Sequence, residues 1–356
     1  MLIGTFVIYQ QMNYVRNADM GFDKDQVVRL TLNRAVRERW PALQNKLMQS
    51  PYIVKSSTST NIPGNGVGKN LMQVEKNDGT MDDYGVDWYG VDYDFVEVLN
   101  LELVAGRNFS REFTTDTASA VLVNEAMVQR MGWDDPIGKM FQFDQDSTVF
   151  HKVVGVVKDF HQQSLYNPIQ ALMFFPSLNN SQALIKVEGD FEQGIDHIEA
   201  SWTELFPDIP MEFEMLDQNF LEEYEEDQLR GNFFLGFAIM MIIISGLGLL
   251  GLASFTAEQR SKEISIRKVL GANVQGLVML LVRDFVWLVL AGALPAFFIG
   301  YRVMNNWLQD FQFHIEIQFI IFVVVLLIVA VFVILTTGLQ ALKAASANPS
   351  ENLKYE

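Results

Sequence analysis

Three residue sets in this 356-residue chain have the types and spacing that could do chemistry. His151, Asp159 and His161 offer two imidazoles and a carboxylate to a divalent metal. Their spacing matches no standard site, and no convergent further ligand is evident, so a structural role is the better reading. Pro63 to Asn70 (PGNGVGKN) suggests a phosphate-binding loop. Yet Pro63 stands where the first glycine of that motif belongs and Asn70 where its Ser or Thr belongs, so a turn is expected. Gly246, Gly248 and Gly251 have the spacing of a dinucleotide fingerprint but lie inside an apolar run with no strand–helix–strand context. Close helix packing explains small residues there better. The chain has no cysteine, which excludes thiol chemistry, cysteine metal sites and disulfides. No nucleophile elbow appears. The expectation is a chain with no catalytic residues, no bound metal and no cofactor.

A fourth set could do mechanical work instead. Glu258 to Ala272 (EQRSKEISIRKVLGA) is a charged segment between two runs apolar enough to cross a bilayer. Glu258 with Lys262 and Glu263 with Arg267 are acid-before-base pairs at i,i+4, the orientation that supports a solvated helix. Ile266, Val269 and Leu270 recur at three and four and give that helix one apolar face, and Gly271 suits its end. Arg260 and Lys268 complete the basic set. A helix of this design can seat on a partner with its apolar face and set register with its charges.

Such a segment needs rigid elements on either side. Residues 231 to 257 and 317 to 342 carry no charge, and spans are expected over about 233–255, 285–303 and 319–337, with Pro295 as a kink in the second. Arg260, Lys262, Arg267 and Lys268 lie between the first two spans and Lys343 follows the last, whereas the loop between the second and third has only Arg302 at its edge. By the bias of Lys and Arg toward the cytoplasm, the coupling loop (256–275) and the tail (343–356) lie inside and the large domain outside, with Trp307, Phe311 and Phe313 at the outer interface. That domain, 13–228, holds 36 acidic against 17 basic residues and so carries essentially all of the net charge of −17. Such acidity argues against a nucleic-acid partner.

Leu2 to Tyr9 is apolar but too short to span and lacks the features of a signal peptide. It reads as the outer end of a first span (1–12) whose first half is missing, in a chain that is part of a longer protein or of a truncated reading frame. In the acidic domain, Val27 to Leu32 and His151 to Val157 predict strands. Phe191 to Leu205, Gln218 to Gln228 and Arg34 to Ser50 predict helices, the last broken near Pro41. Two lobes are expected, 27–60 with 150–215 and about 70–140. The fold class is therefore an α+β extracytoplasmic domain followed by an all-α transmembrane bundle (231–342) of three complete spans and the shortened first.

The segment Glu258 to Ala272 resembles the cytoplasmic motif of the MacB/FtsX-like ABC transporter permeases, and Asn348 to Leu353 (NPSENL) resembles their C-terminal tail. Val121 to Lys139 (VLVNEAMVQRMGWDDPIGK) and Val154 to Leu165 (VGVVKDFHQQSL) resemble segments of the MacB-like periplasmic core domain. The resemblance implies a subunit of the bacterial inner membrane that hydrolyses nothing itself, with the loop from Glu258 to Gly271 receiving an ABC ATPase. It further implies a second permease unit, as homodimer or tandem half, and a periplasmic adaptor or outer-membrane channel beside membrane lipid. Export or mechanotransmission is the implied role. An FtsX-like scaffold that controls a cell-wall hydrolase or passes a stimulus across the membrane is the alternative.

Overall fold

The computed structural model describes residues 1–65, 67–143, 149–218 and 224–346. The tail motif from Asn348 to Leu353 and residues 219–223 of the expected Gln218–Gln228 helix lie outside the described residues. In chain order the helices are α1 (Leu2–Asn17), α2 (Arg34–Glu38), α3 (Trp40–Leu47), α4 (Phe95–Val98), α5 (Asp116–Ser119), α6 (Glu125–Met131), α7 (Phe191–Leu205), α8 (Glu225–Gln259), α9 (Ser261–Val269), α10 (Val274–Leu308) and α11 (Phe319–Ser346). The strands are β1 (Val27–Thr31), β2 (Ile53–Ser59), β3 (Lys69–Glu75), β4 (Met81–Val91), β5 (Leu103–Gly106), β6 (Ala120–Asn124), β7 (Met140–Gln142), β8 (His151–Val157), β9 (Leu172–Pro176), β10 (Gln182–Val187) and β11 (Phe213–Met215). The chain divides into two compact units, Asn17–Glu223 and Met1–Arg16 with Tyr224–Glu356.

All the strands belong to the first unit and join in one sheet with two parts. In the first, β11, β1, β10 and β2 pair antiparallel in that order. One face of this part carries Val28, Leu30, Ile53 and Ile185, and it is covered by Val36, Trp40, Leu43 and Leu47 of α2 and α3 and by Ile198 and Trp202 of α7. Pro41 falls in the first turn of α3, where its missing N–H has no helical acceptor to lose. The expected helix over 34–50 is thus two helices hinged at Arg39, two residues before it.

In the second part the pairings close into a ring. β4 pairs β3, β3 pairs β7, β7 pairs β8, β8 pairs β6, β6 pairs β9, and β9 returns parallel to β4. Closure gives each of these strands a neighbour on both sides. Val74, Val86, Val123, Phe141, Val156 and Met173 from the strands and Met127 and Met131 from α6 form its core. β8, which the sequence grouped with residues 27–60, belongs to this second part. Its Val153 and Val156 turn into the ring core while its edges are taken by β6, β7 and β5, so only the region from β10 onward returns to β1 and β2. β5 approaches β8 through a facing glycine pair, Gly106 and Gly155, and a Cβ at Gly155 would fall on the Arg107 carbonyl.

The second unit is helical. α8, α10 and α11 are each long and apolar enough to cross a membrane. α8 starts at Glu225, ahead of its apolar run, so the described end of the predicted Gln218–Gln228 helix is continuous with the first span. α10 runs through Pro295 without a break. Small residues let α1 sit close to its neighbours, since a Cβ at Gly231 would meet Ile8 at 2.9 Å and one at Gly300 would meet Ile3 at 2.9 Å. Gln11, wholly buried on α1, ties the loop after α10. Its Nε2 donates to the Phe313 carbonyl at 3.2 Å and its Oε1 accepts from the Ile315 N–H at 3.0 Å.

Candidate functional site

The residues from Glu258 to Ala272 form the turn from α8 into α9 and the end of α9. Arg260 terminates one helix and starts the next. Its N–H donates to the Thr256 carbonyl at 3.1 Å, and its own carbonyl accepts from Ile264 N–H at 2.9 Å. The far end is closed by a Schellman arrangement. The Ala272 N–H donates to the Arg267 carbonyl at 2.9 Å and the Gly271 N–H to the Lys268 carbonyl at 3.1 Å, with Gly271 at φ +89°. Glycine takes that left-handed conformation at little cost. Arg267 and Lys268 lie in the last turn, where cations favour the helix dipole. Asn273 then opens α10, accepting the Gln275 N–H at 3.2 Å.

Ion pairs fix the segment. Glu263 and Arg267 meet at 2.6 Å, one of the two i,i+4 pairs expected from the sequence, and Arg260 reaches Asp284 on α10 at 3.1 Å. The packing is two-sided. Ile264 is 4% exposed and joins Leu277, Leu281 and Ala341, so α9 is seated on the ends of α10 and α11. Ile266, Val269 and Leu270 are 53%, 68% and 81% exposed. The apolar face expected from the sequence is thus unpartnered among the described residues, and Glu258, Lys262, Glu263 and Arg267 are exposed with it. Sequence reasoning missed the anchor Ile264 and the strut Asp284. The signal for Ile264 was its place two residues from Ile266, on the opposite arc of the helix.

Of the three glycines assigned to helix packing, Gly246 alone has a close neighbour among the described residues. A Cβ there would come within 2.9 Å of the Phe332 ring on α11, while Gly248 and Gly251 would meet nothing within 4 Å. Within this chain those two positions stand open among the described residues. Spacing along a helix does not say which arc the next helix takes.

The external unit explains the other motifs. His151 and Asp159 flank β8 at its opposite ends. The His151 ring stacks on Phe143 at 4.0 Å, and burial lowers its pKa from the ordinary value. Burial also lowers that of His161, against the pull of Asp19. Asp159 accepts the Ala126 N–H at 2.8 Å, and its own N–H donates to Glu125 at 3.0 Å. Buried Asn124 caps α6 by accepting the Met127 N–H at 3.1 Å and also accepts the Leu172 N–H at 2.9 Å. The segments 121–139 and 154–165 are therefore interlocked by backbone-directed polar contacts. Pro63 and Gly64 make a turn and Lys69 and Asn70 begin β3, while Gly66 lies outside the described residues.

An α/β unit beside three membrane-length helices, with a charged amphipathic helix between two of them, defines a membrane protein with a domain outside the membrane. Residues 1–199 match the MacB-like periplasmic core domain and residues 235–349 the FtsX-like permease C-terminal domain, so the chain belongs to the MacB/FtsX-type ABC transporter permeases. An uncharacterized ABC transporter permease of Bacillus subtilis, YvrN, is 23% identical over 288 residues, covering 75% of this chain and 70% of that one. Among solved structures, the periplasmic region of MacB from Actinobacillus actinomycetemcomitans aligns with TM-score 0.42 and 14% identity over 59% of this chain and 97% of that one. The domain of a permease protein from Porphyromonas gingivalis aligns with TM-score 0.38 and 20% identity over 54% and 89%.

Proposed function

We propose that this chain is the non-catalytic permease subunit of an ABC transporter, and that a separate ATPase docks on α9 to drive movement of the external domain in export or mechanotransmission. The observation that carries this reading is the division of labour on α9. Ile264 fixes the helix to the bundle, while Ile266, Val269 and Leu270 present uncovered apolar surface ringed by charge. α8 supports a mechanical role, because it runs unbroken for 35 residues from Glu225 to Gln259, a rod of about 50 Å that ends where α9 begins. Force applied at α9 reaches the far end of that rod without passing through a flexible link. The bias of Lys and Arg supports a cytoplasmic place for α9 and an external place, across the inner membrane, for Asn17–Glu223. A second permease unit and an adaptor or outer-membrane channel complete the proposed assembly.

The test is Ile266→Asp. It keeps every basic residue, so topology survives, and Ile266 is already exposed, so the free chain folds. Docking would bury the new carboxylate unpaired, at a cost of several kcal/mol, and co-purification of the cognate ABC ATPase should fall by roughly tenfold or more. Unchanged ATPase recovery with unchanged coupled activity would sink the reading and leave α9 a topological role only.

A further inference from the structure

We propose that the groove between α10 and α11, at the end nearest α9, is a binding site for an anionic phospholipid of that leaflet. The groove is a cavity of about 580 Å³ with an almost wholly apolar lining. Val278, Val282 and Val286 on α10 face Ile334, Gly338 and Leu342 on α11, each set spaced by four so that it forms one straight row. Gly338 keeps the floor open, because a Cβ there would meet nothing within 4 Å. The shape and chemistry are those of a slot for an acyl chain.

Among the described residues one cation lines it. Arg283 is exposed and makes no ion pair or hydrogen bond among the described residues. Asp284, which would otherwise compensate it, is engaged by Arg260 at 3.1 Å. Arg283 shares the groove with Gly338, inside the charge-free stretch of α11, and so stands at the edge of the hydrocarbon. From there its guanidinium extends toward the headgroups. A guanidinium takes a phosphate with two parallel hydrogen bonds, and its uncompensated charge favours a lipid with net negative charge over a zwitterionic one. Basic pockets between spanning helices are established sites for such headgroups. The other basic edge of α10 differs, since Arg302 already lies over the Phe298 ring at 5.5 Å.

Native mass spectrometry of the full chain, released from detergent containing equal phosphatidylglycerol and phosphatidylcholine, reads the occupant directly. The first bound lipid should be phosphatidylglycerol. Arg283→Gln should lower its occupancy about fivefold, the effect of one Arg near an anionic surface, while Arg283→Lys retains most of it. Gly338→Leu fills the slot, leaves the charge in place, and should lower the same adduct. Arg302→Gln should leave it unchanged. Wild-type occupancy in Arg283→Gln, or an equal loss in Arg302→Gln, overturns the proposal. Should Arg283→Gln fail to insert, Gly338→Leu carries the test alone, and undiminished phosphatidylglycerol binding in it is equally decisive.

Discussion

The two units of this molecule use the same residue types in opposite ways. In Asn17–Glu223 the large side chains are inside: Tyr89, Phe95, Phe141, Phe160 and Phe174 are all fully buried, and Tyr89 and Phe174 meet edge to face at 5.7 Å. In the helical unit only 11%, 22% and 22% of the most apolar stretch of each span is buried, and Phe233, Ile244, Leu247 and Trp287 all face outward. The solvent decides. Against water the apolar surface must be turned in and every buried polar group partnered. Against hydrocarbon the helices satisfy their own backbones and need touch one another only along narrow lines of small residues. Substitution of glycine should therefore behave differently in the two units.

The largest expected effect is Gly155→Val in the β5–β8 pair. The added Cβ would overlap the Arg107 carbonyl and press on Leu122 at 2.9 Å. Backbone cannot rotate out of the way as a side chain can, so the loss should exceed about 4 kcal/mol, in the range that unfolds a domain. Urea unfolding followed by tryptophan fluorescence reads it. A folded variant within about 1 kcal/mol of the parent would show that β5 does not depend on this close approach.

Within the membrane the same logic gives a smaller and split result. Gly246→Leu must displace the Phe332 ring and should cost about 1–3 kcal/mol, whereas Gly248→Leu points into open space and should cost almost nothing in the isolated chain. Thermal stability in detergent ranks the two. Equal losses would mean that a second helix covers Gly248, and would bring that unit closer to the crowded packing of the external one.

What was legible in the sequence follows from how local each signal is. α7 has the predicted bounds, Phe191–Leu205, because its apolar spacing and its Asp190 cap, which accepts the Gln193 N–H at 3.2 Å, all lie within one segment. The Glu263–Arg267 pair and the Gly271 stop in α9 were local too. Ring closure was not, since the parallel pairing of Asp87 with Leu172 joins residues far apart in the chain and leaves no mark on either strand. Nor was the anchoring of Ile264, which has meaning only once the ends of α10 and α11 are brought beneath it. Periodicity names the face of a helix; only the neighbours say which face is used.

The smallest effect concerns the rule of buried polar satisfaction, which the external unit breaks at several positions, the one acidic group among them being Asp87. Asp87 on β4 is buried. Its Oδ2 accepts only a long 3.4 Å hydrogen bond from Gln162, and its Oδ1 and the Gln162 Oε1 have no partner among the described residues. Burial raises its pKa from the ordinary carboxylate value, opposed by the charge of Lys69. Asp116 goes the other way: burial pushes it up, but the Arg107 guanidinium, paired to it at 2.6 Å and 2.8 Å, holds it below the ordinary value. The signs of their linkage therefore differ. Asp116 contributes stability above its unfolded pKa that is lost as pH falls through its folded value. Asp87 contributes stability that is present below its unfolded pKa and is lost as pH rises through its raised folded value, so at neutral pH it is a liability. Asp87→Asn removes the buried charge and supplies an N–H to the vacant Gln162 oxygen. It should stabilise the unit by about 1 kcal/mol at pH 7, and the gain should shrink as pH falls toward the ordinary carboxylate range, where the native carboxyl is protonated and makes the same hydrogen bond. Unfolding midpoints at pH 7 and pH 4.5 measure it. A gain that stays constant between them would show that the benefit is packing alone and that Asp87 does not titrate differently in the folded chain.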